Sequence, residues 1–335
     1  MIPAFFGLSG LSLTDAERHF FRSAEPAGFI LFKRNCADRQ QMRALTDELR
    51  SLSGRDDVPI LIDQEGGRVQ RMAPPEWPKL PAGEAFARLW DKAPVSAMEA
   101  ARLNAKAIAT MLREVGVNVD CLPLLDVRRP DADAVIGDRA LGSEPKQVAS
   151  LGRLVIDGLR EGGVVGVVKH MPGHGRSHLD THKALPIIEA SDEELAEDIQ
   201  PFRQLNDAPM GMTAHLVYAA WDGERPASQS PIVVNGIIRG RIGFDGLLMS
   251  DDLGMHALSG DFGARAAGAL AAGTDIALHC SGDMAEMEAV AGALGPIPDA
   301  SYDRLQRAMA TIATQASDES FEELAARRDS LLALA

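Results

Sequence analysis

Eight short apolar runs punctuate this chain, each separated from the next by a stretch of helical period, and nearly every run ends in a charged residue or a histidine. The runs are residues 2–8, 28–33, 58–62, 117–125, 164–168, 210–215, 246–249 and 274–279. A continuous apolar run bounded by turn residues reads as a strand buried on both faces, as in a parallel sheet. Strands alternating eightfold with helices predict an α/β protein, a (β/α)8 TIM barrel, with a doubly wound open sheet as the competing architecture. The barrel is preferred because Asp63, Asp126, Lys169, His170, His215, Asp251 and His279 all sit at strand ends. In a barrel those ends converge on one mouth, where active sites lie. With no linker, repeat or low-complexity tract, residues 1–335 read as a single barrel domain.

The helices between the runs carry their own signals. Thr14 and Glu17 form a capping-box pattern, and Ser191 with Glu194 forms another. Asp38 can cap a helix whose Met42, Leu45, Leu49 and Leu52 share a face. A long helix over about 96–115 stops at Gly116, and Pro201 should kink the helix begun at Ser191.

A net charge of −14 and the lack of a basic stripe exclude a nucleic-acid partner. Three scattered cysteines make no disulfide framework, and no run is long enough to cross a membrane. The apolar N-terminus has no cation before Arg18, which argues against a secretory signal and for the cytoplasm.

The densest chemistry lies at 162–183, GGVVGVVKHMPGHGRSHLDTHK, which holds four of the eight histidines. It reads as a buried strand delivering Lys169 and His170, then a Pro-Gly-His-Gly turn and a loop with His178, Asp180 and His182. Metal binding is one reading, but HExxH, paired cysteines and His-x-His are all missing, so no metal or cofactor is expected. Acid/base work is another. Asp180 and His182 are two apart and share a face in an extended segment, so the carboxylate can orient the imidazole and raise its proton affinity. His174, between two glycines, reads as a loop-shaping residue. At the end of the seventh run stand Asp251 and Asp252, where helix capping is the ordinary role of an aspartate. Position supports one carboxylate at the mouth without choosing between them.

The run Lys169-His170-Met171-Pro172-Gly173-His174-Gly175 followed by Asp180-Thr181-His182 resembles the KH(F)PGHG…DSH signature of glycoside hydrolase family 3, and specifically its single-domain bacterial β-N-acetylhexosaminidases. Residues 63–71 (DQEGGRVQR), 137–139 (GDR) and 243–255 (GFDGLLMSDDLGM) are similar to further motifs of that group, in the same order. Met171 and Thr181 stand where Phe and Ser are usual, and Arg176-Ser177 matches nothing in the motif. The resemblance implies retaining hydrolysis of terminal β-linked N-acetylglucosamine from GlcNAc-containing muropeptides in peptidoglycan recycling, by a cytoplasmic monomer. It further implies Asp251 as nucleophile, His182 as general acid/base with Asp180 as its partner, and Asp63, Arg71, Arg139, Lys169 and His170 as sugar-binding residues.

Overall fold

A computed structural model of the chain describes residues 1–130, 135–177, 185–312 and 318–335. Among them, eight parallel strands form one sheet: β1 Ile2–Gly7, β2 Pro26–Leu31, β3 Ile60–Ile62, β4 Val119–Asp120, β5 Val165–Met171, β6 Met210–Thr213, β7 Leu247–Met249 and β8 Ala277–His279. Their order in space is β7-β6-β5-β4-β3-β2-β1-β8. A bridge between Met249 and Ile276 joins the two ends, as do hydrogen bonds from Ser250 N–H to Ile276 O and from Leu253 N–H to Leu278 O. The sheet is therefore a closed α/β barrel, as the eightfold alternation predicts.

Period-two alternation divides each strand between two cores. Phe5, Ile30, Leu61, Val119, Val167, Met212, Met249 and Leu278 fill the barrel interior. Their neighbours Ala4, Phe6, Phe29, Leu31, Ile60 and Ile62 face the surrounding helices. Leu305, Ala308 and Met309, on the helix Asp299–Met309, pack into the interior cluster and plug the N-terminal end. Side chains thus close one end and the middle, so the cavity lies at the C-terminal mouth.

The capping residues behave as their chemistry requires. The helix Asp15–Ala24 begins with a complete capping box from Thr14 and Glu17, and Asp38 caps Arg39–Ser53. The helix Pro94–Glu114 ends beside Gly116, whose φ of +78° suits glycine. Pro201 divides the segment after Ser191 into Asp192–Asp198 and Gln200–Gln204, a break where a kink is expected. The largest departure is the fourth strand. Regular pairing covers only Val119 and Asp120, because Pro123 has no N–H to donate. The chain still follows β5, with Lys169 N–H bonded to Pro123 O and Leu125 N–H to Lys169 O.

The closing strands are bound by one buried carboxylate, Asp275. It accepts from Leu248 N–H at 2.9 Å, Arg239 at 2.7 Å, Ser301 at 2.7 Å and Arg304 at 3.1 Å. Asp275→Ala strands an amide and two guanidinium groups. We expect a loss of about 3–5 kcal/mol of unfolding free energy, read from the urea midpoint.

Candidate active site

At the mouth lies a cavity of about 320 Å³, within the range of small-molecule sites. Its lining includes Asp63, Arg71, Arg139, Lys169, His170 and Asp251, drawn from loops and strand ends far apart in sequence. These are the six anticipated site residues that lie among the described ones. Asp180 and His182, like His178, lie outside the described residues.

Lys169 organises the floor. It is 2% exposed and sits at the end of β5. Pairing between β5 and β6 shifts register between Val168 and Met171, and both Lys169 and its neighbour His170 reach the cavity, where a regular strand would turn one away. The Lys169 ammonium lies 2.9 Å from Asp63 Oδ1 and 2.6 Å from Glu65 Oε1. Arg71 holds the other Asp63 oxygen at 2.9 Å. Arg139 grips Glu65 with two bonds, of 2.8 and 2.7 Å. Charges therefore alternate along a line: Arg71, Asp63, Lys169, Glu65, Arg139.

Burial alone raises the proton affinity of both carboxyls, but the neighbouring cations outweigh it. Lys169 and Arg71 hold Asp63 far below its ordinary value, and Lys169 with Arg139 brings Glu65 to about 2. The same carboxylates keep Lys169 above its usual range despite its burial. Asp120, at the end of β4, has no such partner. Burial pushes it up to about 8, while its Oδ1 accepts from Gln64 N–H at 3.0 Å.

Glu65 reaches this line through a tight hairpin, Gln64–Gly66 paired with Val69–Gln70. Gly66 adopts φ +96°, and a Cβ there would fall 2.2 Å from Pro81 O. Only glycine fits. Gln64 fastens the hairpin, its side chain accepting from Arg71 and Met72 N–H and donating to Met72 O.

The two aspartates after β7 have different surroundings. Asp252 Oδ1 accepts from Gly254 N–H at 2.9 Å and Cys280 N–H at 3.1 Å, so it braces the turn onto β8. Asp251 is 8% exposed, and among the described residues its carboxylate accepts only from Asp252 N–H, at 2.8 Å. Asp251 is the less committed of the two.

Asp126, buried at the end of the fourth run, organises the histidines. Its Oδ2 meets His170 Nδ1 at 2.7 Å, and its Oδ1 accepts from the backbone of His170 and His174. Fixing Nδ1 leaves His170 Nε2 for the cavity. Burial would raise the Asp126 carboxyl, but His170 and His174 bring it below its ordinary value. Sequence reasoning placed Asp126 at the mouth without a role, and it passed over Glu65 and took His174 for a loop-shaping residue. The available signals were Glu65's place inside the Asp-Gln-Glu-Gly-Gly turn and Asp126's place at a strand end. His215 and His279 are buried, bonded to Ser228 and Ser281, and neither lines the cavity. Among the described residues no group of three or more His, Cys, Asp or Glu is arranged to hold a metal ion.

Residues 8–312 match the glycosyl hydrolase family 3 N terminal domain. The chain belongs to this family. A β-hexosaminidase of Chromobacterium violaceum is 38% identical over 314 residues, covering 91% of this chain and 86% of the relative. The solved structure of native NagZ from Neisseria gonorrhoeae superposes with a TM-score of 0.87 at 32% identity, covering 99% of this chain and 97% of that one. The same NagZ has been crystallised with N-trifluoroacetyl-D-glucosamine. As a family 3 member this chain is a glycoside hydrolase, and its catalytic barrel opens on the polar cavity described above.

The alternating line of charges is self-supporting only while it is complete. Lys169→Met leaves two buried carboxylates facing each other, at a cost of about 3–5 kcal/mol at neutral pH. Because Glu65 is depressed from 4.5 to about 2 in the folded state, its stabilisation is full above 4.5 and lost as pH falls towards 2. Urea midpoints measured from pH 7 down to pH 3 should show the gap between Lys169→Met and the wild type narrowing as the pH falls, and a constant gap contradicts this.

Proposed function

We propose that this family 3 enzyme is a retaining β-N-acetylhexosaminidase that removes terminal β-linked N-acetylglucosamine, with Asp251 as nucleophile and His182, backed by Asp180, as general acid/base. The observation that carries the reading is the contrast at the end of β7: both aspartates line the cavity, but Asp252 is bound to two backbone amides, while the Asp251 carboxylate is largely uncommitted among the described residues. A retaining glycosidase needs such a group beneath the anomeric carbon and an acid above the departing oxygen. Attack by a carboxylate at a rigid strand end loses little to misalignment. The β-hexosaminidase names of the relatives, and the glucosamine derivative held by a NagZ at 32% identity, support the sugar assignment.

The remaining cavity residues suit a sugar ring. Asp63, Arg71, Arg139, Lys169 and His170 present acceptors and donors whose positions are fixed by their mutual bonds. Hydrogen bonds to ring hydroxyls that tighten as the oxocarbenium ion forms lower the barrier. In the cell, the substrate we infer is a GlcNAc-containing muropeptide released during peptidoglycan recycling, cleaved in the cytoplasm by a monomer whose 335 residues form one catalytic domain. No described helix is long and apolar enough to cross a membrane.

Nucleophile and acid have separable kinetic signatures. Asp251→Ala should reduce kcat at least about a thousandfold on every β-GlcNAc glycoside. His182→Ala should reduce kcat/KM, which reads only the glycosylation step, by about a hundred- to ten-thousandfold on alkyl aglycones, and far less on a dinitrophenyl aglycone that departs without a proton. Unchanged turnover by Asp251→Ala would contradict the assignment.

A further inference from the structure

Two described histidines line the cavity, and only one has a ring nitrogen bonded to another described residue. His170 gives Nδ1 to Asp126. His174 is 4% exposed, and its Nδ1 is sealed from solvent with no hydrogen-bond partner in any other described residue. Its Nε2 also has no partner among the described residues, but it is not sealed off, and the residue forms part of the cavity wall.

The ring is held firmly. His174 N–H donates to Asp126 Oδ1 at 2.6 Å, and the ring stands edge-on to His170, with centroids 5.6 Å apart. On one side Gly173 O accepts from the Tyr218 hydroxyl at 2.6 Å. On the other, Gly175 passes so close to Val127 that a Cβ would lie 1.9 Å from its carbonyl oxygen. A polar side chain fixed on both flanks and left unpaired points to a ligand.

The tautomer follows from the cost of burial. A buried N–H without an acceptor is among the rarest states in proteins, whereas an acceptor lone pair is left unused somewhat more readily. The proton therefore belongs on Nε2, with Nδ1 as the bare, buried acceptor. Burial, then the proximity of His170, pushes this imidazole down to about 4, so the ring is neutral through the physiological range.

We propose that His174 is a substrate-contact residue, a fixed neutral Nε2–H donor that takes an oxygen of the bound sugar, either a hydroxyl or the acetamido carbonyl. Its neutrality suits the place. The Asp251 charge reaches this ring. A cationic donor here would pair with Asp251 and weaken it as a nucleophile. Arg71, Lys169 and Arg139 already spend their charge on Asp63 and Glu65, which leaves His174 to bind without competing for them. This inference rests on the sugar assignment made above.

Selective 15N labelling of histidine in the full-length enzyme tests both parts. In the unliganded protein the His174 nitrogens should show the Nε2–H tautomer, and the Nδ1–H tautomer overturns the inference. On titration with N-acetylglucosamine, the Nε2 resonances of His170 and His174 should both move. Movement of His170 alone overturns the His174 contact and leaves the sugar assignment standing. No movement at either takes down both. In kinetics on a β-GlcNAc glycoside, His174→Phe keeps the ring and should raise KM roughly three- to tenfold, the effect of one neutral hydrogen bond. His174→Gln, whose amide nitrogen overlies Nε2, should restore KM, while His174→Asn, which mimics Nδ1, should not. An unchanged KM in His174→Phe contradicts the proposal.

Discussion

Everything at the mouth of this barrel depends on the burial of one ammonium group. Lys169 cannot be charged in the interior without anionic partners, and Asp63 and Glu65 cannot be charged there without it. Once the three are assembled, Arg71 and Arg139 complete their unused oxygens. The result joins β5 to the loop after β3 and to the 137–139 turn, so the polar wall is a single braced unit rather than separate side chains. Preorganisation of this kind lets hydrogen bonds meet a sugar without first rearranging.

The acidic residues are sorted by their hydrogen bonds. Asp275 is consumed in closing the barrel, Asp252 in bracing the β7–β8 turn, and Asp126 in fixing His170. Asp63 and Glu65 are committed to cations. Asp251 has a single backbone contact among the described residues, and it is the carboxylate whose chemistry is most available. Burial pushes Asp120 up to about 8; one of its oxygens accepts from Gln64 N–H and anchors the hairpin carrying Glu65, while the other is buried with no partner among the described residues.

How much of this was legible beforehand follows from the range of each signal. Local signals read well. The capping boxes at Thr14 and Ser191, the stop at Gly116 and the break at Pro201 each involve groups within a few residues of one another. The barrel was legible because strand ends carry polar residues and strand interiors do not. Partner choice was not legible. Arg139 has an adjacent acid in Asp138, yet it reaches across to Glu65 while Arg68 takes Asp138. Nothing in spacing distinguishes Asp251 from Asp252 either, because both follow β7, and the amides of Gly254 and, across from β8, Cys280 fall on Asp252 only once the turn has formed. The role of His174 was hidden for the same reason, since its unpaired nitrogen is visible only after the surrounding chain has closed over it.

The central claim is a covalent bond between sugar and Asp251. It is tested most directly by incubating the enzyme with a fluorinated N-acetylglucosamine donor that slows turnover of the glycosyl-enzyme, then mapping the modified peptide by mass spectrometry. The account predicts one sugar residue attached to Asp251. Attachment at Asp252 or another residue, or release of an inverted product with no adduct, would contradict it.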